Sequence, residues 1–211
     1  MSDSVEMVLF DLGGVLLQLQ GVPSMRELSG IANDDELWNR WLGCRWVRRF
    51  ESGACSDADF ARGVVDDWGL SISPTAFLDR FRTWPSGPLP GAEALVTEVM
   101  ARVPVGCFSN TNALHWNEHL AGWPLVQLLE TRFLSFEIGL LKPDRLAFDY
   151  VADQVGPAPG RVLFLDDNVV NVDGAVAAGF LAVRVAGVFE ARQALVAFGV
   201  LQGPPLANLA G

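Results

Sequence analysis

Four apolar runs in the chain are each followed by residues able to do chemistry. Asp11 with Gly13 and Gly14 follows Val5 to Phe10, and Ser109-Asn110-Thr111-Asn112 follows Val103 to Phe108. Lys142-Pro143-Asp144 comes shortly after Arg132 to Phe136, and Asp166-Asp167-Asn168 follows Val162 to Leu165. A carboxylate, a hydroxyl, a lysine and an acidic pair on one rim fit phosphoryl transfer. A carboxylate such as Asp11 can attack phosphorus and split one hard displacement into two easier ones. Bringing it up to a phosphate dianion is repulsive unless positive charge is supplied. A magnesium ion held by Asp11, Asp166 and Asp167 would supply it, because Mg²⁺ favours carboxylates, carbonyls and waters. Lys142 would add a second cation, with Ser109, Asn110 and nearby backbone N–H groups holding phosphoryl oxygens. Asn171 lies four residues beyond Asp167, hence on the same face if a helix starts there, and is expected to orient Asp167.

Those residues share a rim only if the apolar runs are neighbouring strands. The runs, with a fifth at Leu181 to Val185, alternate with helical segments at Gly91 to Arg102, Pro143 to Val155 and Asn168 to Ala178. Strands alternating with helices predict an α/β fold, a parallel Rossmann-like sheet covered on both faces. Ligands of such sheets bind beyond the carboxyl ends of the strands. The stretch from Pro23 to Trp84 breaks the alternation. It reads as consecutive helices near Ser24 to Ile31, Asp34 to Phe50, Asp57 to Trp68 and Pro74 to Trp84, and holds five of the seven tryptophans. The expected division is a core of residues 1–20 and 86–211 and an inserted α-helical cap of residues 21–85. The Pro-rich stretch at Pro85, Pro88 and Pro90 reads as a linker.

Composition narrows the classes. The chain has 211 residues, half of them apolar and 19% charged, with a formal net charge of −10. That balance speaks against nucleic acid and anionic membranes as partners, and leaves a small phosphorylated molecule in a locally positive site open. Met1 to Glu6 is acidic with no basic region before an apolar run, so no signal peptide is expected. No apolar stretch approaches the roughly 20 residues of a membrane span. Three irregularly spaced cysteines suggest neither a disulfide framework nor a zinc site, and point to a reducing, cytoplasmic setting.

The four segments, in this order, resemble the four motifs of the haloacid-dehalogenase-like (HAD) superfamily: Val8-Leu9-Phe10-Asp11, Cys107-Phe108-Ser109-Asn110, Lys142-Pro143 and Leu163-Phe164-Leu165-Asp166-Asp167. Together they span most of the chain. Within the superfamily the wording is similar to the bacterial phosphatases of α-D-glucose 1-phosphate and to the phosphatase domain of soluble epoxide hydrolases. The resemblance implies the Rossmann-like fold, the helical cap, Mg²⁺ and an aspartyl-phosphate intermediate. It implies that position 13 gives the metal its backbone carbonyl.

One departure stands out. Most HAD phosphatases carry an acid/base aspartate two residues after the nucleophile, and here that position is Gly13. A general acid/base is worth about 10²–10⁴-fold in rate. Three explanations follow: a substrate with a good leaving group such as an anomeric phosphate, another acid/base with Glu51 or His115 as candidates, or a feeble enzyme that acts as a phosphate-ligand-binding or regulatory protein. A metal-free dehalogenase is less favoured, having no use for Asp166 and Asp167. His115 and the cap tryptophans read first as packing residues, and Arg45, Arg48 and Arg49 as a solvated helix face. The Gly203 to Gly211 tail, rich in Pro, Ala and Gly, carries no reading of its own.

Overall fold

A computed structural model of the chain describes residues 4–203; the tail beyond Gly203 lies outside the described residues. The elements run β1 (Met7–Phe10), β2 (Leu17–Leu19), α1 (Gly21–Ser29), α2 (Asp34–Gly43), α3 (Arg45–Glu51), α4 (Asp57–Trp68) and α5 (Pro74–Arg82). They continue with β3 (Pro85–Pro88), α6 (Ala92–Met100), β4 (Val105–Ser109), α7 (Ala113–Glu118), α8 (Pro124–Leu128), β5 (Thr131–Leu134) and α9 (Ser135–Ile138). The chain ends with α10 (Arg145–Gln154), β6 (Val162–Asp166), α11 (Val169–Ala177), β7 (Leu181–Arg184) and α12 (Gly187–Ala197).

Five strands form one parallel sheet in the order β5-β4-β1-β6-β7. β1 is central and every residue of it is buried, as a strand covered on both faces requires. Its side chains alternate between two cores. Val8 and Phe10 pack with Leu163, Leu165 and the inner faces of α6, α8 and α12. Met7 and Leu9 pack with Phe108, Phe164 and the inner faces of α10 and α11. The chain is thus a three-layer α/β core of the Rossmann-like type, and no helix among the described residues is long and apolar enough to cross a membrane.

Helices α1 to α5 enclose a third core, in which Trp41, Phe50, Phe60, Phe77, Phe81 and Trp84 pack ring against ring. Gly63 of α4 belongs here because a Cβ at that position would lie 2.1 Å from the Trp46 ring. Leu114 of α7 reaches into this cluster from the sheet side.

Three local expectations need correction. The helix expected over Asp34 to Phe50 is two, because Cys44 has extended backbone (φ −69°, ψ 120°) directly after Gly43. The proline-rich linker is a strand: β3 pairs antiparallel with β2 as a two-stranded ribbon, and prolines are tolerated on such edges. The ribbon is extended by Gln20 N–H donating to Trp84 O and Leu89 N–H to Leu16 O, both at 2.8 Å. Both passages of the chain between the helical block and the sheet run through it. Finally, α10 starts at Arg145, with Asp144 as its N-cap, so Pro143 lies in the preceding turn.

Candidate active site

Strand register brings the chemistry together. Phe10 is paired with Cys107 on one side and Leu165 on the other, and Asp11 N–H donates to Leu165 O at 2.8 Å. Asp11 and Asp166 therefore emerge side by side from adjacent strand ends, and Ser109 ends β4 on the other flank. Ser109 is buried, and its hydroxyl makes no hydrogen bond among the described residues.

Lys142 reaches into this rim from the turn before α10. Its Nζ lies 3.1 Å from Asp11 Oδ1 and 2.6 Å from Asp166 Oδ2. The side chain is 1% exposed. Burial lowers its pKa, but the Asp11 and Asp166 carboxylates outweigh that and hold the ammonium above the usual lysine range. Its backbone is fixed by Asn110, whose Nδ2 donates to Lys142 O and whose Oδ1 accepts from Lys142 N–H, both at 2.9 Å. Asn110, expected to bind substrate, thus spends both ends of its amide on placing Lys142. One residue on, Thr111 N–H donates to Ser135 Oγ, which in turn donates to Thr111 O, each at 2.9 Å. This lock ties the end of β4 to the end of β5.

Asp166 is fully buried and saturated: it accepts from Lys142, from Asn168 N–H at 2.8 Å and from Asn171 Nδ2 at 3.1 Å to both oxygens. Asn171 therefore holds Asp166, and not Asp167 as expected. The helix starts only at Val169 with Asn168 as N-cap, so the four-residue spacing from Asp167 does not bring the two onto one face. Asp167 turns toward the first loop instead. A Cβ on Gly14 (φ +70°) would lie 2.0 Å from Asp167 Oδ2, so this glycine supplies both the turn and the room for the carboxylate.

Carboxylate oxygens of Asp11, Asp166 and Asp167 lie within 4.8 Å of one another. Burial first, and then the neighbouring carboxylates, push Asp11 up to about 7 and Asp167 up to about 6 against the pull of Lys142. Three acids with one lysine form an undercompensated cluster of hard oxygen donors, which fits a divalent cation such as Mg²⁺. Gly13 sits two residues past Asp11, and the space beside its Cα is filled by Leu19, whose Cδ1 would be 2.5 Å from an added Cβ.

A cleft of about 240 Å³ opens above Lys142 between the helical block and the sheet. Asn110, Lys142, Pro143 and Val170 line it below; Asn39, Gly43, Arg48 and Glu51 line it from α2 and α3. Two contacts dock α3 here. Arg48 Nη2 lies 2.6 Å from Asp144 Oδ2, and Gly53 (φ +72°) lets the turn after α3 press on Phe136 O, 2.8 Å from where a Cβ would be. Burial pushes the Glu51 carboxyl up to about 8, with Lys142 and Arg48 opposing and Asp11 assisting.

The other candidates fall elsewhere. His115 is buried, stacks on Phe81 with ring centroids 4.2 Å apart, and contacts Phe81 O through Nε2 at 2.7 Å and Asn112 Nδ2 through Nδ1 at 3.2 Å. Burial lowers its pKa to about 4 despite the Phe81 contact, so it is a neutral packing residue between helical block and sheet. Arg45 and Arg49 lie over Trp46 on the outer surface, whereas Arg48 turns into the cleft, unlike the solvated face expected of all three. Arg48 and Asn39 were missed as cleft residues; the one signal was Arg48 standing three positions before Glu51.

Comparison with known proteins agrees with this architecture. Residues 5–179 match the family model of the haloacid dehalogenase-like hydrolases. The chain is 26% identical over 141 residues to pyrimidine 5'-nucleotidase YjjG of Escherichia coli, covering 64% of this chain and 62% of that protein's length. It is 24% identical over 198 residues to sesquiterpene phosphatase astK of Aspergillus oryzae, covering 88% of this chain and 92% of the other. A HAD family enzyme of Bacteroides thetaiotaomicron, solved in complex with magnesium and inorganic phosphate, shares the fold with a TM-score of 0.69 at 22% identity, over 88% of this chain and 96% of the other. With the family model matching most of its length, the chain belongs to the haloacid dehalogenase-like hydrolases.

Proposed function

We propose that the protein is a Mg²⁺-dependent phosphatase of a small phosphomonoester, with a sugar phosphate as the favoured substrate class, in a reducing, cytoplasmic setting. The observation that carries this reading is Lys142 shared between Asp11 and Asp166, beside a third carboxylate and below the cleft under α2 and α3. Asp11 attacks phosphorus and becomes the aspartyl phosphate, which water then hydrolyses. Lys142 draws Asp11 toward its ionised form and aims at the phosphoryl oxygens, and the Ser109 hydroxyl, unpaired among the described residues, donates to another. Asp11, Asp166 and Asp167, with the Gly13 carbonyl that the family pattern implies, would hold Mg²⁺; when bound it neutralises charge on the phosphoryl group. Helices α2 and α3 exclude bulk water and select the leaving group. Two relatives named as a nucleotidase and a phosphatase support the ester class.

Gly13 favours a second reading, a binding or regulatory protein that holds a phosphorylated ligand without turning it over. One assay separates them: phosphate release from p-nitrophenyl phosphate and a panel of sugar phosphates, with Mg²⁺ or EDTA. Release that needs Mg²⁺ and disappears in Asp11→Asn is the expected result. No release from any substrate, with ligands raising thermal stability, moves the binding reading ahead.

A further inference from the structure

We propose that Glu51 of α3 is the catalytic acid/base, protonating the leaving oxygen and then activating the water that frees Asp11. The inference rests on the phosphatase reading above and names the group that Gly13 leaves missing.

Elimination within the site comes first. Position 13 has no side chain, and Leu19 occupies the space one would enter. Asp166 has both oxygens committed to Lys142, Asn168 and Asn171. Asp167 points at the Gly14 loop, within the acidic cluster. His115 has both ring nitrogens engaged behind the cleft. Glu51 alone combines a titratable oxygen with a place in the cleft wall that faces Lys142.

Its placement is built. Arg48, one turn earlier on α3, is ion-paired with Asp144, and the turn at Gly53 rests on Phe136. The Glu51 carboxyl itself makes no ion pair or hydrogen bond among the described residues, so nothing must be broken for it to meet a substrate oxygen. The charged groups that act on it are Lys142 from the turn before α10, Arg48 from its own helix and Asp11 from the end of β1. Burial outweighs the two cations and leaves the carboxyl protonated near neutral pH, the form a proton donor needs.

The proton balance closes over a turnover. An Asp11 oxygen bonds to phosphorus as the bond from phosphorus to the ester oxygen breaks, its electron pair passing to that oxygen. The Glu51 proton goes to the same oxygen, and the alcohol leaves. The Glu51 carboxylate next takes a proton from water as the water oxygen bonds to phosphorus. The bond from phosphorus to Asp11 then breaks, giving inorganic phosphate, the Asp11 carboxylate and protonated Glu51. Because the acid comes from the helical block, an open cleft lacks both its lid and its proton donor.

The test compares wild type, Glu51→Gln and Asp11→Asn on p-nitrophenyl phosphate and phenyl phosphate, by rapid mixing with Mg²⁺. Phenolate is a poor leaving group, with a pKa of about 10, whereas p-nitrophenolate leaves without a proton. Glu51→Gln is expected to keep a burst of one p-nitrophenol per site and to accumulate phosphorylated Asp11. With phenyl phosphate its burst should slow by about 10²–10⁴-fold. The high-pH limb of the wild-type rate profile should vanish in this variant. Equal slowing of the burst on both substrates, or a raised KM with kcat intact, would make Glu51 a binding residue and overturn the proposal. A wild type inert toward both esters sinks the phosphatase reading itself, a result distinct from either Glu51 outcome.

Discussion

The Nζ of Lys142 lies 2.6 Å from Oδ2 of Asp166, and neither side chain reaches solvent. Burying two charges costs several kcal/mol each, so such a pair is a poor way to gain stability. It makes sense as a fixed positive charge in a dry site, where Coulomb interactions are strong. Lys142→Met leaves two buried carboxylates without their cation. We expect a loss of about 3–5 kcal/mol in urea unfolding without Mg²⁺, together with loss of phosphate release. A variant of wild-type stability would contradict this account of the site.

Asp11 should cost the folded state stability at neutral pH. Its folded pKa stands above the unfolded value, so between about pH 4 and 7 the folded chain holds more protons than the unfolded one. Stability from this group is complete below that window and is lost as pH rises through it; Asp167 acts in the same sense. In EDTA at pH 8, Asp11→Asn should melt several degrees above wild type, and at pH 5 the gap should narrow. Mg²⁺ should raise the wild-type Tm more at pH 8 than at pH 5. Differential scanning calorimetry at both pH values, with and without Mg²⁺, checks all three statements.

Gly14→Ala probes the acidic cluster while leaving the identity of every side chain in it unchanged. The new methyl meets left-handed backbone, costing about 1–2 kcal/mol, and collides with Asp167 Oδ2. Displacing that carboxylate should weaken Mg²⁺ binding by about 10–100-fold, read by titration calorimetry. Unchanged Mg²⁺ affinity would mean that Asp167 is not a ligand.

His115→Ala separates packing from proton transfer. The ring is neutral, buried and stacked on Phe81, so its removal should cost about 1–3 kcal/mol. Rates on p-nitrophenyl phosphate below the melting range should stay within about threefold of wild type. Because burial lowers the His115 pKa, its contribution is present above about pH 6.5 and is lost as pH falls toward 4. The variant should therefore lose less stability on acidification than wild type does.

The residues that meet at the strand ends were legible because each follows a buried strand, and a parallel sheet leaves few places for such residues to go. What the sequence hid depends on where backbone turns. Cys44 breaks a helix without proline, so the directions of Arg48 and Glu51 were not readable from periodicity. The late start of α11 at Val169 moved Asn171 onto Asp166. The β2–β3 ribbon lacks the alternation that marks a half-buried strand, and its prolines argued for a linker. Asn110 was expected at the site, but its pairing with the Lys142 backbone joins residues 32 apart and has no local signature.

The ribbon also bears on how such a chain can diversify. Gln20 and Trp84 are joined by a hydrogen bond of 2.8 Å, so the helical block leaves and re-enters the sheet at nearly one point. For a segment whose two ends already meet, doubling its length costs only about 0.6 kcal/mol of closure entropy. A graft of different size and sequence at this seam would leave the strand register that sets Asp11 beside Asp166 untouched. The seam lets one half of the molecule change what it admits while the other half keeps its chemistry.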